Sequence, residues 1–200
     1  MTDNFKIFRD FISSDIDFVS KEDLFYTIAI ISRSKDNPGL RTTVWKYFYI
    51  YSLNDFDKNV SIIKTLCDKL NARAYISVVH KSEQRIIEDM NVIISKRIYN
   101  HDYSHPFKIV ETAISANHES SNRRWVYDLD DYSEDEARKL FNYISLNSFG
   151  TPWFIQTKHG YHIISKPISV QKLKDWCQEN NYRFPDIKKN HISLLYENLK

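Results

Sequence analysis

Downstream of residue 122 the chain switches repeatedly between strand and helix patterns, in an order that few folds accommodate. Residues 123–128 read as a strand, Arg-Arg-Trp-Val-Tyr-Asp. Ser133-Glu134-Asp135-Glu136 is a capping box, after which Ala137, Leu140, Phe141 and Ile144 follow at helical spacing. Residues 153–156 and 161–165 read as two further strands joined through a tight turn at His159-Gly160. Ser169 begins a second helix with Val170, Leu173, Trp176 and Cys177 on one side, and residues 192–196 form the expected final strand. The order is β-α-β-β-α-β.

That order predicts an α+β fold whose C-terminal part, residues 121–200, is a ferredoxin-like (RRM-like) unit. In it an antiparallel sheet carries helices on one face, the other is left free for function, and the first and third strands are central neighbours. Side chains alternate along a strand, so Val126, Asp128 and Asp130 share one face while Trp125, Tyr127 and Leu129 take the other. On the third strand His162 and Ile164 share a face, opposite Tyr161 and Ile163. With the aromatic and aliphatic set under the helices, Asp128, Asp130 and His162 converge on the open face; a slip of one residue would reverse every assignment. Two adjacent carboxylates repel unless a cation or a shared proton lies between them, so Asp-x-Asp at a strand end suits Mg²⁺ or Mn²⁺ beside a polyphosphate. The plainer alternative is a helix start, with Asp131 or Ser133 as the cap.

Residues 1–120 read as an N-terminal α/β module. A short helix is predicted over 4–13, and strands over 24–31 and 43–51 are separated by the turn Ser34-Lys35-Asp36-Asn37-Pro38-Gly39. A helix follows at 55–70 with Phe56, Val60, Ile63, Cys67 and Leu70 on one stripe, then a strand at 74–79. Ser82 opens a helix with Ile86, Met90, Ile93 and Ile94 on its inner face, and Pro106 opens another that runs to about residue 117. Only three glycines occur, Gly39, Gly150 and Gly160, each in a predicted turn, and neither G-x-G-x-x-G nor a Walker A sequence is present. That scarcity argues against a glycine-rich phosphate loop.

Composition narrows the class further. An apolar share of 42% belongs to a globular chain, and no apolar run approaches the roughly 20 residues that span a bilayer. The start, Met-Thr-Asp-Asn-Phe-Lys, lacks a secretion-signal pattern. Cys67 and Cys177 fall on apolar helix positions, as expected of buried thiols in a reducing cytoplasm, and the absence of Cys-x-x-Cys argues against structural zinc. The net charge of +2 is modest for a dedicated duplex binder. Basic residues near strand ends and loops, among them Arg33, Lys35, Arg73, Lys158 and Lys166, can still line a local groove, although each taken singly reads as solvated surface.

At these residues the chain resembles a small member of the archaeo-eukaryotic primase (primase-polymerase) superfamily. Trp125-Val126-Tyr127-Asp128-Leu129-Asp130 is similar to the family's apolar strand ending in Asp-x-Asp, and Gly160-Tyr161-His162 to its Gly-x-His. The third family motif is an acid on or after a later strand. Glu197, after Leu194-Leu195-Tyr196, is the first choice and Asp186 the second. The resemblance implies metal-dependent joining of nucleotides on nucleic acid. Asp128, Asp130 and Glu197 (or Asp186) would bind Mg²⁺ or Mn²⁺ and carry catalysis, while His162, with Lys158 and Arg73, would contact a nucleoside triphosphate. The compact ending implies a shrunken or repurposed member, such as a phage or mobile-element product.

Two rival functions use the same surface: a non-catalytic module that binds nucleic acid or protein, and a metal-dependent nuclease with water as nucleophile. His101-x-x-x-His105 has metal-ligand spacing, but its setting reads as a loop entering a helix. The run Tyr47-Phe48-Tyr49-Ile50-Tyr51 offers rings for base stacking, and core packing is its plainer use.

Overall fold

A computed structural model describes residues 1–106, 108–116 and 123–198. The chain begins with β1 (Thr2–Asp3), α1 (Phe5–Ser13) and α2 (Ile16–Ser20). The long pair β2 (Leu24–Ser32) and β3 (Thr43–Ile50) follows, then α3 (Leu53–Leu70), β4 (Arg73–Ser77) and the short β5 (Lys81–Ser82). A helical pair comes next, α4 (Glu83–Tyr99) and α5 (Lys108–Ala116); the predicted end of the latter near residue 117 lies outside the described residues. The remainder is β6 (Trp125–Asp130), α6 (Glu134–Asn147), β7 (Trp153–Gln156), β8 (Gly160–Ser165), α7 (Val170–Glu179), β9 (Asp186–Lys189) and β10 (Ile192–Glu197).

The result is an α+β protein in which the described residues form two antiparallel sheets. The first has the order β1-β10-β4-β2-β3, with β5 paired to β2; the second has the order β7-β8-β6-β9. Helix starts follow local chemistry. Ser52, Ser82, Ser133 and Ser169 each cap a helix through the side chain, and Ser133 with Glu136 completes the predicted capping box.

In the first sheet Tyr26, Ile28, Ile30, Phe48, Ile50, Ala74 and Ile76 are buried against Phe8 and Phe11 of α1 and Phe56, Ile63 and Cys67 of α3. Of β3 only Phe48 and Ile50 enter this core, and Tyr47 and Tyr49, with Tyr51 just beyond the strand, stand partly exposed. In the second sheet Tyr127, Leu129 and Ile163 pack under Ala137, Leu140 and Ile144 of α6 and Leu173 and Cys177 of α7. The predicted strand parity therefore holds. Ile94, placed on the inner face of α4 by periodicity, is instead exposed, while Met90 and Ile93 do pack.

Two expectations are corrected. The last strand of the second sheet is β9, not residues 192–196, because the chain leaves that sheet through Asn190 and His191 and enters the first. Asn190 takes a left-handed φ of 49° at this crossing. The physical reason lies in the side chains: Ser193, Leu194, Leu195 and Tyr196 are all buried, which suits a strand flanked on both sides, whereas Asp-Ile-Lys-Lys is a charged edge. Secondly, the helix-free face of the second sheet is not open along its length. Val126, Ile155 and Ile164 join the core of the first sheet, Arg124 lies over the Phe11 ring at 4.7 Å, and Asn4 Nδ2 donates to both Gln156 O and Leu194 O at 3.0 Å. The end of that face near Asp128 borders a cleft. Among the described residues no helix is long and apolar enough to cross a membrane.

Candidate functional site

Strand register assembles the site. Asp128 of β6 lies opposite His162 of β8 and Asp186 of β9, and His162 lies opposite Ile155 of β7. Directly paired residues project to the same face, so Asp186, Asp128 and His162 form one row across three strands. The next row is Lys188, Val126 and Ile164, and Asp130 pairs with Gly160 at the other side of the acids. Gly160 thus begins β8 rather than ending a turn, and the reason for glycine is close approach. A Cβ there would fall well inside 3.0 Å of Leu129 O and 3.2 Å from Asp130 Cα.

Asp128 is almost covered, with 13% of its side chain exposed, and two cationic or potentially cationic groups meet it. Lys188 Nζ donates to Oδ2, and His162 Nε2 lies 3.5 Å from Oδ1. Burial alone would raise the Asp128 pKa, but the hydrogen bonds and charges of His162 and Lys188 prevail and hold it well below the usual carboxylate range. Burial would likewise lower the Lys188 pKa, yet Asp128 raises it. The other imidazole nitrogen, Nδ1, shares a 2.8 Å hydrogen bond with Ser193 Oγ, so β10 of the first sheet orients a histidine of the second. Lys188 Nζ also lies 3.6 Å from Asp186 Oδ2, and the Asp186 side chain is 71% exposed.

The row opens onto a cleft of about 120 Å³ walled by both sheets, with Arg33, Arg73 and Tyr75 on one side and Asp128, Asp130, Lys158 and His162 on the other. An adjoining hollow of about 310 Å³ shares Asp128, Asp130 and Lys188 and adds Asp186 and Arg183. Arg33, Lys35 and Lys158 make no ion pair among the described residues and leave the cleft with unbalanced positive charge. Such a concave cationic surface concentrates anions.

Not every sequence candidate reaches this place as expected. Asp128, Asp130, His162 and Lys158 share the cleft, and Asp186 sits beside Asp128. Glu197 lines neither hollow. It is 3% exposed in β10, 3.2 Å from Arg73 Nη1, and Thr2 Oγ1 donates to it. Arg73 does border the cleft, but Nε and Nη2 donate to the two oxygens of Asp36 at 2.8 and 2.6 Å. A guanidinium held between Asp36 and Glu197 shapes the wall rather than offering a charge to a ligand. The predicted strand surface missed Lys188 and Ser193. Had residues 186–189 been read as a strand, Asp186-x-Lys188 would have placed both side chains on one face beside Asp128. His101 and His105 adopt left-handed φ of 52° and 47° in the connection between α4 and α5, away from this cleft.

No protein family, curated protein or solved structure matches this chain.

Proposed function

We propose that the protein is a primase-polymerase-like nucleotidyltransferase and that the cleft between its sheets takes the triphosphate of a nucleoside triphosphate. One observation carries the reading: Asp186, Asp128 and His162 lie in a single row beside the cations Arg33, Lys35 and Lys158. The order β6-α6-β7-β8-α7-β9 with strand arrangement β7-β8-β6-β9 is consistent with a ferredoxin-like palm.

Among the described residues no three or more His, Cys, Asp or Glu side chains are gathered as a metal site, so a divalent metal is proposed on the chemistry of the donors. Asp128, Asp130 and Asp186 are hard oxygen ligands suited to Mg²⁺ or Mn²⁺, and the Lys188 ammonium between Asp128 and Asp186 marks a place that favours positive charge. A bound metal would supply neutralisation of phosphate charge and a lowered pKa for an attacking hydroxyl. The chain's own groups have separate tasks in this reading. His162, oriented by Ser193, and Lys158 contact phosphate oxygens, and Arg33 and Lys35 draw nucleic acid toward the mouth. Asp186 replaces Glu197 as the third acid because it lies opposite Asp128, whereas Glu197 is committed to Arg73.

The test combines binding with products. A nucleoside triphosphate with Mg²⁺ or Mn²⁺ should raise the melting temperature by selective binding to the native state, and Asp128→Ala, Asp130→Ala and His162→Ala should each reduce that rise. Extension of a labelled primer identifies nucleotidyl transfer, and shortening of it identifies the nuclease. Saturable binding with neither product supports the non-catalytic module, for which the Lys188–Asp128 pair speaks. Unchanged shifts in all three variants remove the cleft from the function.

A further inference from the structure

The acids of the cleft already hold a cation that belongs to the chain. Lys188 donates to Asp128 Oδ2 and approaches Asp186 Oδ2 to 3.6 Å, so its ammonium occupies the space between the two carboxylates that an external cation would need. It reaches them from the neighbouring row of β9, two residues beyond Asp186 on the same face. Its side chain is 35% exposed and borders both hollows, so it has somewhere to go.

We infer that Lys188 is a built-in competitor of divalent metal: while it holds Asp128 the acid pair is closed to metal, and an anion in the cleft opens the pair by drawing the ammonium onto itself. The inference rests on the proposed use of Asp128 and Asp186 as metal ligands. It goes further by making metal affinity depend on a lysine that is not itself a ligand. The argument is one of charge. Two carboxylates side by side stabilise one cation strongly, and a second cation placed beside the first gains far less because the two repel. A phosphate reverses the preference, since an ammonium transferred to it still has a partner and the vacated carboxylates then favour the metal. Metal and polyphosphate binding are thereby coupled, and coupling of this kind is reciprocal. A salt bridge remote from the acid pair would leave metal affinity untouched.

The experiment measures Mn²⁺ alone by electron paramagnetic resonance on the full chain, in wild type, Lys188→Met, Lys188→Gln and Lys188→Met/Asp128→Asn. Two replacements of Lys188 guard against one that fails to fold, which a melting curve would reveal. Removing the lysine should tighten Mn²⁺ binding about tenfold or more, within the usual range of coupling between sites, and the added Asp128→Asn should abolish the gain. In parallel, tripolyphosphate with a chelator present should bind wild type more tightly than either Lys188 variant. Equal Mn²⁺ affinity with and without Lys188, a gain that survives Asp128→Asn, or no Mn²⁺ binding in any folded variant would each overturn the inference. A wild type that ignores tripolyphosphate while the Mn²⁺ gain stands would instead overturn the nucleotide reading and the anion-driven opening, and leave the competition itself in place.

Discussion

Gly160→Ala is the most demanding test of the architecture, because the space around Gly160 is closed by backbone. An added methyl would fall well inside 3.0 Å of Leu129 O, at 3.0 Å from its carbonyl carbon and 3.2 Å from Asp130 Cα. None of these atoms can rotate away, so β6 and β8 must separate. Overpacking of this type costs about 1–3 kcal/mol. Separation also strains the bond that closes this end of the strand pair, Asp131 N to His159 O at 3.0 Å. At about 1 kcal/mol, its weakening brings the expected loss to about 3 kcal/mol. For a chain of this size that is a fall in melting temperature of roughly 6–12 °C. Urea unfolding followed by tryptophan fluorescence reads the loss directly, from the midpoint at unchanged slope. Gly150→Ala is the control. Its φ is 83° with nothing within 4 Å, so it tests backbone conformation without collision, and a loss of about 1 kcal/mol is expected. A Gly160→Ala loss below about 0.5 kcal/mol would refute the close pairing of β6 with β8, and the argument for glycine beside His162 would go with it.

Arg73→Ala should destabilise by about 3–5 kcal/mol, because it strands two buried carboxylates, Asp36 and Glu197, whose side chains are 7% and 3% exposed. The double variant Arg73→Ala/Glu197→Gln should recover part of that loss in denaturant titration, and no recovery would mean the pair is not coupled. Asp15 offers a pH signature: burial would raise its pKa, but hydrogen bonds with His80 and Tyr26 lower it to about 2. A carboxylate depressed in the native state contributes stability above its unfolded pKa and loses it as pH falls through the folded one. Stability should therefore drop by about 2 kcal/mol between roughly pH 5 and pH 2. Asp15→Asn should be less stable at pH 7 and flatter in that window, and an equally steep acid limb in this variant would assign the effect to other groups.

Local chemistry was legible in the sequence because it depends on neighbours a few residues apart. The alternation of Trp125, Tyr127 and Leu129 against Val126, Asp128 and Asp130 placed each side chain on the correct face, and Ser133 with Glu136 marked the start of α6. The same parity put Asp128 and His162 on one face once their strands were taken as neighbours. Partnership between distant strands is another matter, since it depends on which buried surfaces match across the whole molecule. The apolar run 192–196 looked like a fourth strand for the second sheet, yet burial on both sides carries it into the first. That one exchange decided the acids. It sent Glu197 to Arg73 and brought Asp186, with Lys188 two residues behind it, to the side of Asp128. It also set Ser193 against His162, and let the first sheet close most of a face that local pattern had left open. Strand faces follow from alternation along the chain, whereas the charge balance around Asp128 exists only because β8 and β9 flank β6 in the folded sheet.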